Sequence, residues 1–245
     1  MTNVHIPPVV KNLLIINVLF FAATWVFESK GIRLEYYLGA VYFDSPLFYI
    51  WQPITYMFMH GSFTHILFNM FALFSFGSIL ETRWGAKRFI NFYLITGLGA
   101  LALQWGVQAF EVYQITGSFF NPGAVTIDLA SGMSGLHISG LSNEAANTLL
   151  GIYSGPMVGA SGAIFGLLVA FGMLYPNLEL YIMFIPVPVK AKYIIPVYIL
   201  IELSLGVARV QGDSIAHFAH LGGALLGFIL VKLWKDKNTF YDYYD

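Results

Sequence analysis

Residues 159–166 read Gly159-Ala160-Ser161-Gly162-Ala163-Ile164-Phe165-Gly166, a serine among glycines and alanines at the head of an apolar run that stops at Pro176. Small residues let helix backbones approach closely, which is how helices pack in lipid, where burial of apolar surface gives little drive to associate. The same texture recurs in Ala219-His220-Leu221-Gly222-Gly223-Ala224-Leu225-Leu226-Gly227, this time around a histidine. A hydroxyl nucleophile and an imidazole base therefore stand on two apolar segments, each built for close packing.

The rest of the chain has the same character. Of its 245 residues 58% are hydrophobic and 10% charged, and the mean hydropathy is +0.70, which excludes an ordinary soluble domain. A net charge of -1 gives no basis for a nucleic-acid partner, and the absence of cysteine rules out disulfides and thiolate chemistry. Stretches near 11–29, 56–80, 87–110, 157–175, 191–209 and 214–234 each reach the roughly 20 helical residues that cross a hydrocarbon core. Pro53 precedes the second, Pro156 opens the fourth, Pro176 ends it, and Pro186 and Pro188 mark the turn before the fifth. The expected fold is all-α: one polytopic membrane domain over 1–245, a bundle of six transmembrane helices.

With the N-terminus in the cytoplasm, Lys11, Arg83, Lys87, Arg88, Lys190, Lys192, Lys232, Lys235 and Lys237 fall inside, and Lys30, Arg33 and Arg209 outside. That bias predicts cytoplasmic N- and C-termini, with 235–245 a short tail. The first span lacks an A-x-A-like cleavage site and reads as a retained helix. Spans two, four and six then enter from the outer side, so His65, Ser161 and His220 share one shallow layer. Ser161, about five residues into its span, is expected on the order of 10 Å below the outer face.

In span two His65 and Asn69 are four apart and share a helix face. Glu81, 16 residues beyond His65, lies roughly 24 Å further along a helix, at the cytoplasmic boundary beside Arg83, where a structural clamp is expected. The chain as a whole resembles the rhomboid intramembrane serine proteases of bacterial six-span type. The resemblance rests on His65 with Asn69, Glu81-x-Arg83-x-Gly85, Gly159-x-Ser161-Gly162, and Ala219-His220 followed by Gly223 and Gly227.

It implies a serine endopeptidase cutting membrane-spanning protein substrates near the outer face, set in the lipid bilayer of a bacterial inner membrane. In that family the serine and the last-span histidine form a catalytic dyad without an acid, here Ser161 and His220, while His65 and Asn69 stabilise the oxyanion. Phe165 matches a position where an aromatic ring orients the base, and no cofactor or metal is implied. Where many relatives carry Trp-Arg in the first outer loop, this chain has Trp51-Gln52. By the same resemblance, span five and the loop from Val210 to Ser214 form the substrate gate, with Gly206 and Gly212 permitting movement.

Other readings stand beside these. Ser161 alone reads equally well as a packing residue, and Ala163 stands where the G-x-S-x-G elbow requires glycine. His60, His65, His217 and His220 could together hold a metal; the lack of an H-E-x-x-H motif and of a neighbouring carboxylate speaks against it. Otherwise His60 and His217 are polar groups near the outer interface. Glu202, an ionisable group in mid-span, has no assigned role, though it must face a cavity or a neighbouring helix. In outer loop 111–155, Ser142 either caps a short helix through Leu150 or lies in a mobile polar loop. A catalytically silent relative that escorts membrane helices would lack the serine or the histidine, and a transporter would show an internal repeat. Oligomeric state is not legible.

Overall fold

The computed structural model describes residues 6–129, 133–181, 187–208 and 216–234. Its helices are α1 (Pro8–Glu28), α2 (Glu35–Leu38), α3 (Gln52–Thr55), α4 (Phe63–Ala72), α5 (Ser78–Trp84), α6 (Ala86–Thr116), α7 (Asn143–Ser154), α8 (Ser161–Leu174), α9 (Ala191–Ala208) and α10 (His217–Leu233). Two small antiparallel hairpins complete the described residues: β1 (Val125–Asp128) with β2 (Met133–Leu136), and β3 (Glu179–Tyr181) with β4 (Pro188–Lys190). The chain is a multi-pass membrane protein built as a helical bundle.

Four helical segments are long and apolar enough to cross a bilayer unaided: Pro8–Glu28, Phe63–Trp84, Ala86–Thr116 and Ala191–Ala208. The two that carry the serine and histidine motifs, Ser161–Leu174 and His217–Leu233, are shorter. Of these two, α8 lies inside the bundle, whereas α10 buries one side and turns Leu225, Phe228 and Leu233 outward. In α8 nearly every residue from Gly162 to Phe171 is buried, and α6, α8 and α10 pack against one another more extensively than any other helices. By contrast α1 buries only Val10, Leu13 and Asn17 and turns Leu19 and Trp25 outward.

Glycine makes the central contact possible. A β-carbon on Gly223 would lie 1.8 Å from the Gly162 carbonyl oxygen, and one on Gly227 would lie 2.7 Å from the Gly166 Cα. The backbones of α8 and α10 are thus in direct contact, which no larger side chain at these positions permits.

Two helix starts differ from the sequence expectation. Span two was expected from 56, but Tyr56–Phe58 is a separate 3-10 turn and the helix begins at Phe63, capped by Ser62 Oγ accepting the His65 N–H. A π-helical turn, Leu73–Gly77, then interrupts it before α5. The added turn changes the register between His65 and Glu81, so straight-helix arithmetic does not hold across it.

Span four was expected from 157, yet its helix begins at Ser161. Residues 157–159 instead run extended, held by Met157 N–H to the Ala40 carbonyl (2.7 Å), the reciprocal Ala40 N–H to Met157 (2.9 Å), and Gly159 N–H to the Tyr56 carbonyl (3.0 Å). Non-helical backbone is tolerated in a membrane protein when other parts of the chain satisfy its polar groups, as Ala40 and Tyr56 do here.

A second, smaller core gathers about the segment between α6 and α8. Tyr42, Val112, Val125, Leu149, Ile152 and Tyr153 pack together, joining the α2–α3 connection to α6, the β1–β2 hairpin and α7. Ser142 Oγ does accept the Ala145 N–H (3.2 Å), and α7 runs four residues past the expected Leu150, to Ser154. At the start of α3, Gln52 is fully buried. Its amide donates to the Leu47 carbonyl (2.8 Å) and the Tyr36 carbonyl (3.3 Å) and accepts the Tyr49 N–H (3.2 Å). A neutral side chain therefore knits this loop where an arginine was expected in relatives.

Candidate active site

Ser161 is the first residue of α8, so three forces fix it: the paired strand-like approach from 157, the helix that follows, and the Gly162–Gly223 contact that docks α8 on α10. The contact brings the histidine of α10 to it. Ser161 Oγ lies 2.8 Å from His220 Nε2. The first amide bonded within the helix is Ile164 N–H, to the Ala160 carbonyl, so the N–H groups of Ser161, Gly162 and Ala163 point out of the helix end, where the helix dipole is positive.

Phe165, one turn along, stacks flat on the His220 imidazole with centroids 4.3 Å apart and planes within 8°. His65 approaches from α4. The gauge is Gly159, whose φ of +137° is one that residues with side chains rarely adopt. A β-carbon there would sit 2.9 Å from His65 Nε2 and 3.3 Å from Ser161 Oγ. Any side chain at 159 would fill the gap between the two groups. Asn69 is buried on the same face of α4, and its Nδ2 donates one hydrogen to the His65 carbonyl (3.0 Å).

The sequence reading missed one partner. Glu202, in the middle of α9 and buried, presents Oε2 to His220 Nδ1 at 2.8 Å and to His217 Nδ1 at 2.7 Å. This corrects one expectation, since a carboxylate does lie beside two of the four histidines, and it places an acid at the His220 ring nitrogen away from Ser161. Two cues in the sequence pointed this way. An ionisable group in mid-span must face protein, and Gly206, one turn further along the same face, lets α9 approach His217, whose Cβ would lie 3.1 Å from a β-carbon at 206. The four-histidine alternative does not form a single group: among the described residues His60 packs edge-on against the His65 ring at 5.0 Å, and neither joins the cluster of Glu202, His217 and His220.

Ligand atoms of Glu202, His217 and His220 lie within 4.8 Å of one another, a group that could gather round a metal ion. The observed N···O separations of 2.7 and 2.8 Å are hydrogen-bond lengths; two ligands on one tetrahedral zinc stand ~3.4 Å apart, given metal–ligand bonds of ~2.1 Å.

At the opposite end of the bundle, Glu81 is buried and its carboxylate accepts the N–H groups of Val9 (2.9 Å) and Val10 (2.7 Å), donors at the start of α1 that have no partner within the helix. Arg83 lies over the Tyr175 ring at 5.4 Å, and Gly85 makes the turn into α6 with φ +78°. The expected gate segment, Val210 to Ser214, lies outside the described residues, as do Arg209, Pro186 and the tail from 235.

Comparison with known proteins points to one family. The model of the Rhomboid domain family matches residues 48–235. Rhomboid protein 1, mitochondrial, of Saccharomyces cerevisiae is 28% identical over 70% of this chain and 38% of its own length. Rhomboid-like protein 11, chloroplastic, of Arabidopsis thaliana is 26% identical over 90% of this chain and 63% of its own. Rhomboid protease AarA of Providencia stuartii is 27% identical over 89% and 69% respectively. The chain thus spans less than two thirds of the yeast and plant relatives. With a family match that covers most of its length and all four of the quoted motifs, this chain belongs to the rhomboid family.

Proposed function

We propose that the chain is an intramembrane serine endopeptidase that cuts membrane-spanning proteins near the outer face of a bacterial inner membrane, with both termini in the cytoplasm. The observation that carries this reading is the 2.8 Å contact between Ser161 Oγ and His220 Nε2 at the N-terminus of a buried helix. His220 takes the serine proton, Ser161 attacks the scissile carbonyl, and the proton passes to the leaving amine. Water then attacks the acyl-serine, giving its proton to His220 as the serine is released. The oxyanion of each tetrahedral intermediate meets the free N–H groups at the head of α8, with His65 and Asn69 beside them.

The depth of the cut follows from α8 itself. Its 14 residues span ~21 Å, which leaves ~9 Å of a ~30 Å hydrocarbon core above Ser161 when the helix reaches the cytoplasmic boundary. That remainder is occupied by the extended segment before Ser161, and it supports cleavage in the outer third of a substrate helix. Substrate must unwind there, which favours glycine or proline near the cut, and the walls formed by Gly159, Ala160 and Gly162 favour a small residue just before the scissile bond. The test is mass spectrometry of products from a panel of single-span substrates in vesicles. Cuts should cluster at the outer end and vanish with Ser161→Ala; cuts that persist in that variant, or that lie at the cytoplasmic end, contradict the proposal.

A further inference from the structure

We infer that Glu202 is a positioning residue for the base, so that the site works as a Ser161–His220–Glu202 triad with His217 anchoring the carboxylate. The inference rests on the protease reading and departs from the acid-free dyad that the family resemblance implies.

The argument begins with what Phe165 leaves undetermined. A flat stack at 8° fixes the plane of the His220 ring, but turning the ring over in that plane exchanges nitrogen for carbon without disturbing the stack. Nor does stacking decide which nitrogen carries the proton. A hydrogen bond at Nδ1 decides both. An ionised carboxylate only accepts, so Glu202 Oε2, at 2.8 Å, requires the proton on Nδ1 and leaves Nε2 bare. Bare Nε2 is the atom 2.8 Å from Ser161 Oγ, ready to take its proton. As that proton arrives, the ring becomes an imidazolium with the carboxylate beside it, and Glu202 itself gains no proton.

His217 serves the carboxylate in turn. Its Nδ1 reaches the same Oε2 at 2.7 Å, so the oxygen is held between two imidazole N–H donors one turn apart on α10. The side chains are closely covered, with 6% of His217, 6% of Glu202 and 12% of His220 exposed, so water competes little for these bonds. The carboxylate comes from α9 whereas the serine and histidine come from α8 and α10. The tautomer of the base therefore depends on α9 lying against α10.

The experiment compares the full chain in vesicles with Glu202→Gln, Glu202→Asp and Ser161→Ala, reading kcat and KM on one single-span substrate, the rate of Ser161 labelling by a fluorophosphonate, and nitrogen NMR of the histidines. A glutamine amide can turn its NH2 to Nδ1 and select the wrong tautomer. Glu202→Gln is expected to lose about 100-fold or more in kcat, on the pattern of the serine-protease triad, with KM within about twofold. Labelling should slow in parallel, and the His220 signal should shift away from the Nδ1–H form. Glu202→Asp, which keeps the charge, should recover part of the loss.

Unchanged kcat and labelling in Glu202→Gln, in a wild type that labels at Ser161, would overturn the inference alone. So would a loss of activity accompanied by a lower melting temperature and an unaltered His220 tautomer. Wild-type activity that disappears with a chelator and returns with zinc would make the cluster a metal site and overturn it as well. A wild type that neither cleaves nor labels would remove the protease reading and this inference with it.

Discussion

The Phe165 ring lies parallel to the His220 imidazole one van der Waals layer away, with centroids 4.3 Å apart. Phe165 is itself buried and also touches Tyr198 of α9 at 5.1 Å, so the base is held from a face that does not engage its nitrogens. Phe165→Leu removes the stack and keeps an apolar filling. An aromatic pair is worth ~0.5–1.5 kcal/mol, so kcat should fall by up to about tenfold with KM little changed. Steady-state kinetics on a single-span substrate checks this, and a rise in KM with constant kcat would count against an orienting role.

His65 and Asn69 are predicted to act mainly in the transition state. A single oxyanion donor is worth ~2.7–4 kcal/mol in the reference case, so Asn69→Ala should cost on the order of 100-fold in kcat while substrate binding persists. The Asn69 amide donates to the His65 main-chain carbonyl, a partly buried contact that a substitution of the His65 side chain leaves in place. Wild-type rates in both single variants and the double variant would leave these side chains with a structural role only.

Gly223 offers a packing test. Gly223→Ala places a methyl 1.8 Å from the Gly162 carbonyl oxygen, so α10 must move away from α8 and carry His220 from Ser161. Activity and fluorophosphonate labelling should both be lost. Gly106→Ala on α6, whose added methyl meets nothing within 4 Å, should leave both intact and serves as the control.

Glu81→Gln weakens the charged bonds to Val9 and Val10 at the head of α1. Hydrogen bonds to a charged group are each worth ~1.5–3 kcal/mol, so the variant should melt earlier in detergent while retaining its turnover at low temperature. Thermal melts paired with assays in the cold separate this clamp from the distant chemistry.

The parts of this molecule legible in its sequence are those with local causes. Apolar runs gave the helices and glycine spacing at Gly223 and Gly227 gave the close packing, while the Ser142 cap was one of two readings open for its loop. The start of α8 was not legible in that way, because the extended run before Ser161 is held by Ala40 and Tyr56, residues remote in sequence. The π-helical turn at Leu73–Gly77 left no periodic trace either. Glu202 was visible as an anomaly, a charge in mid-span, but its partners depend on the rotation of α9 against α10, which tertiary packing sets. Gln52 could be read as a departure from relatives, whereas its three bonds within the loop required the fold.

The most direct test of the central claim is to treat membranes with a fluorophosphonate and map the modified residue by peptide mass spectrometry. The account predicts modification at Ser161, reduced sharply by His220→Ala and absent in Ser161→Ala. Labelling at another residue, or labelling that survives Ser161→Ala, would contradict it.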